Sequence, residues 1–95
     1  MKDGWSALMY ACINNFSLVV NFLLEHGADI NTTDRLFRNP MHWVCRYQNI
    51  KIANILLNDE YKLNLEQTDM DMMIPIDIAR HYHNYEMEKL LIVHE

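Results

Sequence analysis

The sequence predicts an all-α chain, a solenoid of stacked helix-turn-helix units joined by hairpin-like loops, and three observations carry that expectation. Sliding the chain by 33 residues lays Ser6-Ala7-Leu8-Met9 on Asn39-Pro40-Met41-His42, Cys12 on Cys45, Leu23-Leu24 on Leu56-Leu57 and Asn31 on Asn64. A further slide of 35 lays Asp34 on Asp69, Pro40-Met41 on Pro75-Ile76 and Ile55-Leu56-Leu57 on Leu90-Leu91-Ile92, with two residues inserted after Asn58. Within each copy the apolar residues recur at helical spacing on two short segments separated by a turn. One domain of three repeats, about 1–33, 34–68 and 69–95, therefore fills the chain.

In the first repeat the helices are expected over Ala7–Asn14 and Ser17–His26, with Ser17 as an N-cap and Gly27 in the left-handed position that ends a helix. The second pair is expected over Pro40–Tyr47 and Asn49–Asn58, the third over Pro75–Tyr82 and Tyr85–Val93. Pro40 and Pro75 fall in the first helical turn, where a missing N–H costs nothing. Asp29–Arg38 and Leu63–Met73 carry the Asn, Asp and Thr of turns and should project from one edge of the stack.

At 95 residues, 51% hydrophobic and 22% charged, the chain has room and composition for one small folded domain. A large multidomain enzyme is excluded. Thirteen acidic against eight basic residues leave a net charge of -5, which disfavours broad nucleic-acid or anionic-lipid binding. The longest apolar stretches, Leu8–Ile13 and Leu18–Leu24, fall short of the roughly 18–20 residues of a membrane span, so membrane insertion is not expected. Lys2 and Asp3 lead straight into patterned sequence without the layout of a secretory signal. Two cysteines are too few for a disulfide scaffold, and an intracellular home, cytoplasmic or nuclear, is expected.

Gly27-Ala28-Asp29-Ile30-Asn31 resembles the inter-repeat loop of the ankyrin repeat family, and Asn39-Pro40-Met41-His42 resembles its Thr-Pro-Leu-His helix start. Pro75-Ile76-Asp77-Ile78-Ala79 is similar to the opening of a last repeat, so the resemblance spans essentially the whole chain. It departs from the family in its glycines. Only Gly4 and Gly27 are present, and Phe37, Gln48, Glu60, Met72 and His83 stand where glycine is usual. Each of these that keeps a positive φ would store roughly 1 kcal/mol of strain.

The first repeat reads as an interior one, because Met9, Tyr10, Ile13, Val19 and Phe22 leave little polar surface for an outer face. Arg80, Glu86, Glu88 and Lys89 suit the third to face water as a C-terminal cap. Either upstream repeats or a homodimer contact is expected to cover the N-terminal face.

Candidate chemistry is sparse. Cys12 and Cys45 fall at one repeat position on neighbouring helices, about 8–10 Å apart and beyond disulfide reach, so both read as buried core thiols. His81 and His83 point about 200° apart on a helix and cannot share a zinc ion there, with or without His94. Ser6 and Ser17 are assigned to helix starts, which leaves no nucleophile beside a base and no enzyme signature. No cofactor is expected. His42 resembles the family's structural histidine, with a hydrogen-bonding role in the turn.

The resemblance implies a non-enzymatic module that binds a protein or peptide along a concave groove of loop tips and first helices. Carried over by position, the tips supply Lys2, Asp3, Trp5, Arg35, Leu36, Arg38, Met70, Asp71 and Met73. The first helices supply Ile13, Asn14, Arg46, Tyr47, His81 and Tyr82. Trp5, Leu36 and Met73 have an alternative role in packing the tips. Arg35, Arg38 and Arg46 make the groove centre locally positive and suited to an acidic partner. The alternative reading is a structural segment of a larger ankyrin protein with no binding role. The surroundings of Asn31 also resemble a loop asparagine that is hydroxylated in some members, although a hydrogen bond that fixes the loop is the preferred role.

Overall fold

The computed structural model describes residues 4–94. Three helix pairs follow one another: α1 (Ala7–Ile13) with α2 (Ser17–Glu25), α3 (Pro40–Cys45) with α4 (Ile50–Leu56), and α5 (Pro75–His81) with α6 (Tyr85–Val93). A 3-10 turn, Asp59–Tyr61, follows α4, and no strand occurs among the described residues. Helix α1 packs on α3 and α3 on α5, while α2 packs on α4 and α4 on α6. The result is an all-α stack of two layers.

Local chemistry starts these helices where the sequence places them. The Ser6 hydroxyl accepts the Met9 N–H at 3.1 Å, and the Asn39 side chain accepts that of His42 at 3.0 Å, with Pro40 next in line. Before Pro75, the Asp77 carboxylate accepts the Ile74 N–H at 3.1 Å. Ser17 is a correction: it is the first helical residue of α2, and Phe16 occupies the cap with no side-chain bond. The tight turn replaces the cap, because the Phe16 N–H donates to the Ala11 carbonyl at 2.9 Å and sets where α2 can begin.

Helix α3 ends at Cys45, before the expected Tyr47, because Arg46 and Tyr47 close tighter bonds to the Trp43 and Val44 carbonyls. Helix α4 is shorter than expected at both ends, for the Asn49 side chain provides no cap and the Asn58 N–H tightens onto the Ile55 carbonyl.

Between the layers lies one apolar core. Leu8, Cys12, Val20 and Leu24 meet Met41, Val44, Cys45, Ile52 and Leu56, which in turn meet Ile76, Ala79, Met87 and Leu91. Full burial of side chains of this size contributes about 1.5–3 kcal/mol each. Cys12 and Cys45 are free and belong to this core, and burial pushes both thiols up to about 12. They are protonated and unreactive at neutral pH.

Side-chain amides tie the loops of successive repeats. Asn31 donates to the Lys62 carbonyl at 3.1 Å and accepts the Asn64 N–H at 2.7 Å, and within the second repeat Asn39 donates to the Asn64 carbonyl at 3.0 Å. Asn84, at the start of α6, donates to the Tyr47 carbonyl at 2.8 Å. Asn31 therefore uses both ends of its amide to fix the loop.

The glycine-poor turns divide. Phe37 (φ 61), Met72 (φ 62) and His83 (φ 56) do adopt the left-handed conformation, and Asn15 (φ 59) joins them between α1 and α2. Gln48 and Glu60 do not. The inserted 3-10 turn moves the left-handed residue along to Lys62 (φ 54). Met72 is 76% exposed, so its side chain contributes little to offset the strain. Met72→Gly is expected to stabilise the fold by about 0.5–1 kcal/mol after the added freedom of the unfolded glycine is subtracted. Thermal melts would register this as a rise of roughly 2–8 °C; an unchanged or lower midpoint would contradict the strain argument.

The flanks differ in character. On the first repeat Phe16, Leu18 and Phe22 are exposed, Leu18 by 81%. The third presents Arg80, Glu86 and Lys89 to water, with Arg80 Nε 2.7 Å from Glu88, but Tyr85, Ile92 and Val93 are exposed beside them.

Candidate functional site

The second and third hairpin tips are held by one aspartate each. Asp34 Oδ1 accepts the N–H groups of Leu36 (2.9 Å) and Arg38 (3.0 Å), and its Oδ2 accepts Arg38 Nε (2.9 Å) and Trp43 Nε1 (3.1 Å). Asp69 Oδ1 accepts those of Asp71 (2.8 Å) and Met73 (3.0 Å). Backbone bonds from the Asp34 N–H to the Arg38 carbonyl and from the Asp69 N–H to the Met73 carbonyl, each 3.0 Å, close the hairpin-like turns. The second and third tips join through the Met70 N–H and the Leu36 carbonyl at 3.0 Å.

Beneath these tips, His42 links α3 to the third tip. The Asn39 N–H donates to His42 Nδ1 at 3.0 Å, so the ring proton lies on Nε2, which donates to the Met73 carbonyl at 2.9 Å. Burial lowers the His42 pKa, aided by the Arg38 charge, against the Met73 bond and the nearby Asp69 and Asp34. A neutral imidazole with both nitrogens engaged is the structural role the helix start implied.

A cleft of about 410 Å³ opens between the second and third repeats. Leu36 and Arg38 from one tip, Met70, Asp71 and Met73 from the next, and Arg46, His81 and Tyr82 from the inner helices line it together. All of these were read from the sequence as groove residues. His42, Asp69 and Ile78 also line it and were not among them.

The remaining groove positions fall elsewhere. Lys2 and Asp3 lie outside the described residues. Trp5 is half-buried and sits edge-on to Trp43 at 5.1 Å, with Tyr10 at 6.3 Å, and its buried Nε1 has no hydrogen-bond partner among the described residues. Packing against Trp43 of α3 and Tyr10 of α1 is what this ring does. Ile13 and Asn14 sit at the end of α1, where Asn14 Nδ2 donates to the Tyr10 carbonyl at 2.8 Å. Arg35 is exposed at the tip beside Gly4, and Tyr47 is exposed beyond the end of α3; neither lines the cleft.

Trp43 organises the basic side of the cleft. Its ring carries the Arg38 guanidinium at 4.1 Å and that of Arg46 at 5.3 Å, and Arg46 also lies 5.3 Å from the Tyr82 ring. The spacing of Trp43 and Arg46, three apart across the end of α3, is the sequence signal that would have placed the tryptophan here. Asp34 compensates Arg38 at 2.9 Å, and Asp69 and Asp71 line the same cleft. The expected positive centre is thus reduced to Arg46 alone, flanked by acid at the tip side. Among the described residues, no cluster of three His, Cys, Asp or Glu side chains could hold a metal ion.

Comparison with known proteins agrees with this architecture. The family model described as ankyrin repeat matches residues 3–35. An ankyrin repeat protein of fowlpox virus (strain NVSL) is 33% identical over 94 residues, covering 96% of this chain and 28% of that protein. The chain belongs to the ankyrin repeat family. Canine inversin is 28% identical over 89 residues (94% of this chain, 8% of inversin), and mouse NF-kappa-B inhibitor zeta 29% over 92 residues (93% and 13%). The ankyrin chain thus spans less than a third of each of these relatives. Ankyrin repeats are in general protein–protein interaction modules and generally non-enzymatic. No helix among the described residues is long and apolar enough to cross a membrane.

Proposed function

We propose that this chain is a non-enzymatic docking module that takes a partner protein or peptide into the cleft between its second and third repeats. One observation carries the reading: tip and inner-helix side chains of two repeats converge on a single open cleft that is already braced from below. Leu36, Met70 and Tyr82 are substantially exposed there, although His42, Asp34 and Asp69 are buried and hydrogen-bonded within the turns. A preorganised surface of this kind loses little conformational freedom on binding. The name of the NF-kappa-B inhibitor relative records action on another protein, which fits a docking role. Two buried free thiols support an intracellular setting.

A second reading, a three-repeat segment of a longer array, is favoured by the exposed Phe16, Leu18 and Phe22 on the first repeat. The two readings are compatible, because neighbouring repeats would cover that flank and leave the cleft open.

Panning a random dodecapeptide phage library on the chain tests the docking role. Selected peptides are expected to bind the Leu36→Ala/Met70→Ala/Tyr82→Ala variant at least tenfold more weakly, about 1.4 kcal/mol, with the melting temperature nearly unchanged. Equal affinity for both proteins, or no enriched peptide, would remove the cleft from consideration.

A further inference from the structure

We propose that Arg46 is the anchor of the cleft and takes a single carboxylate, the Asp or Glu side chain of a protein segment that lays an adjacent apolar residue over Met70. The inference rests on the cleft being the docking surface and adds the chemistry of what docks.

The arginines of the second repeat are not equivalent. Arg38 spends its Nε on Asp34 at 2.9 Å and stacks at 4.1 Å on Trp43, so it belongs to the framework. Arg35 is exposed at the tip beside Gly4 and does not line the cleft. Arg46 lines the cleft and is exposed, yet it makes neither a hydrogen bond nor an ion pair among the described residues. Its guanidinium lies 5.3 Å from the Trp43 ring of the helix it caps and 5.3 Å from the Tyr82 ring of the next repeat. Two aromatic faces therefore hold a planar cation in place and leave its N–H fork uncommitted.

That combination fits a carboxylate. The guanidinium fork matches a carboxylate in two parallel bonds, and an arginine already oriented by stacking loses little side-chain freedom when it forms them. Charge sets the number of negative groups. Asp69 and Asp71 line the same cleft on its tip side, so the local field suits one negative charge near the helices and disfavours a doubly charged phosphate. The same arrangement sets direction: the acid lies toward Tyr82, and the apolar neighbour lies toward exposed Met70 and half-buried Met73.

The experiment extends the phage selection to peptides synthesised from the enriched sequences. Those that depend on Met70 and Tyr82 should carry Asp or Glu beside an apolar residue. They should bind Arg46→Gln at least tenfold more weakly and Arg46→Lys with an intermediate loss. Changing the peptide acid to its amide should produce the same loss, and the two changes together should cost no more than either alone. Additive losses would overturn the pairing, as would cleft-dependent peptides with no acidic preference, while leaving the docking role in place. Tighter binding of a peptide with phosphoserine in place of the acid would overturn the single-charge requirement. If no selected peptide depends on the cleft, both proposals fail together.

Discussion

Asp34→Ala is expected to destabilise the chain by about 3–5 kcal/mol, the cost of breaking a buried ion pair by removing one partner. Folded domains are stable by only about 5–15 kcal/mol, so much of the variant would be unfolded at elevated temperature, with a midpoint lower by roughly 12–40 °C. The magnitude follows from how many groups one carboxylate serves. Its side chain is fully buried and that of Arg38 is 17% exposed, so water cannot replace the lost charge at the aspartate. The Leu36 and Arg38 N–H groups and the Trp43 indole N–H would lose their acceptor with it. Arg38 would be left on the Trp43 face without its counter-charge. Asp34→Asn should lose less, because an amide oxygen can still accept from the turn. Urea or thermal unfolding monitored by helical circular dichroism would measure both, and a loss below about 1 kcal/mol for the alanine variant would show that the network carries little net energy.

His42→Ala is expected to cost about 2–4 kcal/mol, from the lost volume in a closed site and from two backbone groups deprived of partners. The Asn39 N–H would lose its acceptor and the Met73 carbonyl its donor, so the second helix pair would loosen from the third tip.

The same residue has a pH signature. Its folded pKa lies below the ordinary value near 6.5, chiefly through burial, so the unfolded chain binds the extra proton first as pH falls. Stability from neutral His42 is therefore complete above the unfolded pKa and is lost as pH falls from there through the folded pKa. Asp69 and Asp34 limit this loss, and Arg38 adds to it. Melting temperatures measured between about pH 7.5 and 5.5 should fall with acid for the native chain, and less steeply for His42→Gln. Parallel curves would place the acid sensitivity in other groups.

Residue types that leave the backbone little choice account for what could be read in advance. Pro40 and Pro75 fit a helix only in its first turn, and Gly27 (φ 88) takes the left-handed exit after α2. A repeat of such signals fixes six helices and their pairing, hence the stacking. Groove membership was less accessible, since it depends on where helices stop. Helix α3 ends at Cys45, so Tyr47 falls beyond the cleft although Arg46, one residue earlier, lines it. The charge of the groove depends on which arginine meets which acid. Asp34 and Arg38 lie four apart, a spacing usually read on helices, and here a hairpin turn brings them together. Trp43 is buried, yet its face positions both cleft arginines.

The amide bridges of Asn31 and Asn84 reach from one repeat to backbone groups of its neighbour. Each unit thereby relies on its neighbour to complete its own peptide hydrogen bonds, which strengthens nearest-neighbour coupling along the stack. Opening should start at the outer helices and spread inward, and slow amide exchange should concentrate in α3 and α4, the pair with neighbours on both sides.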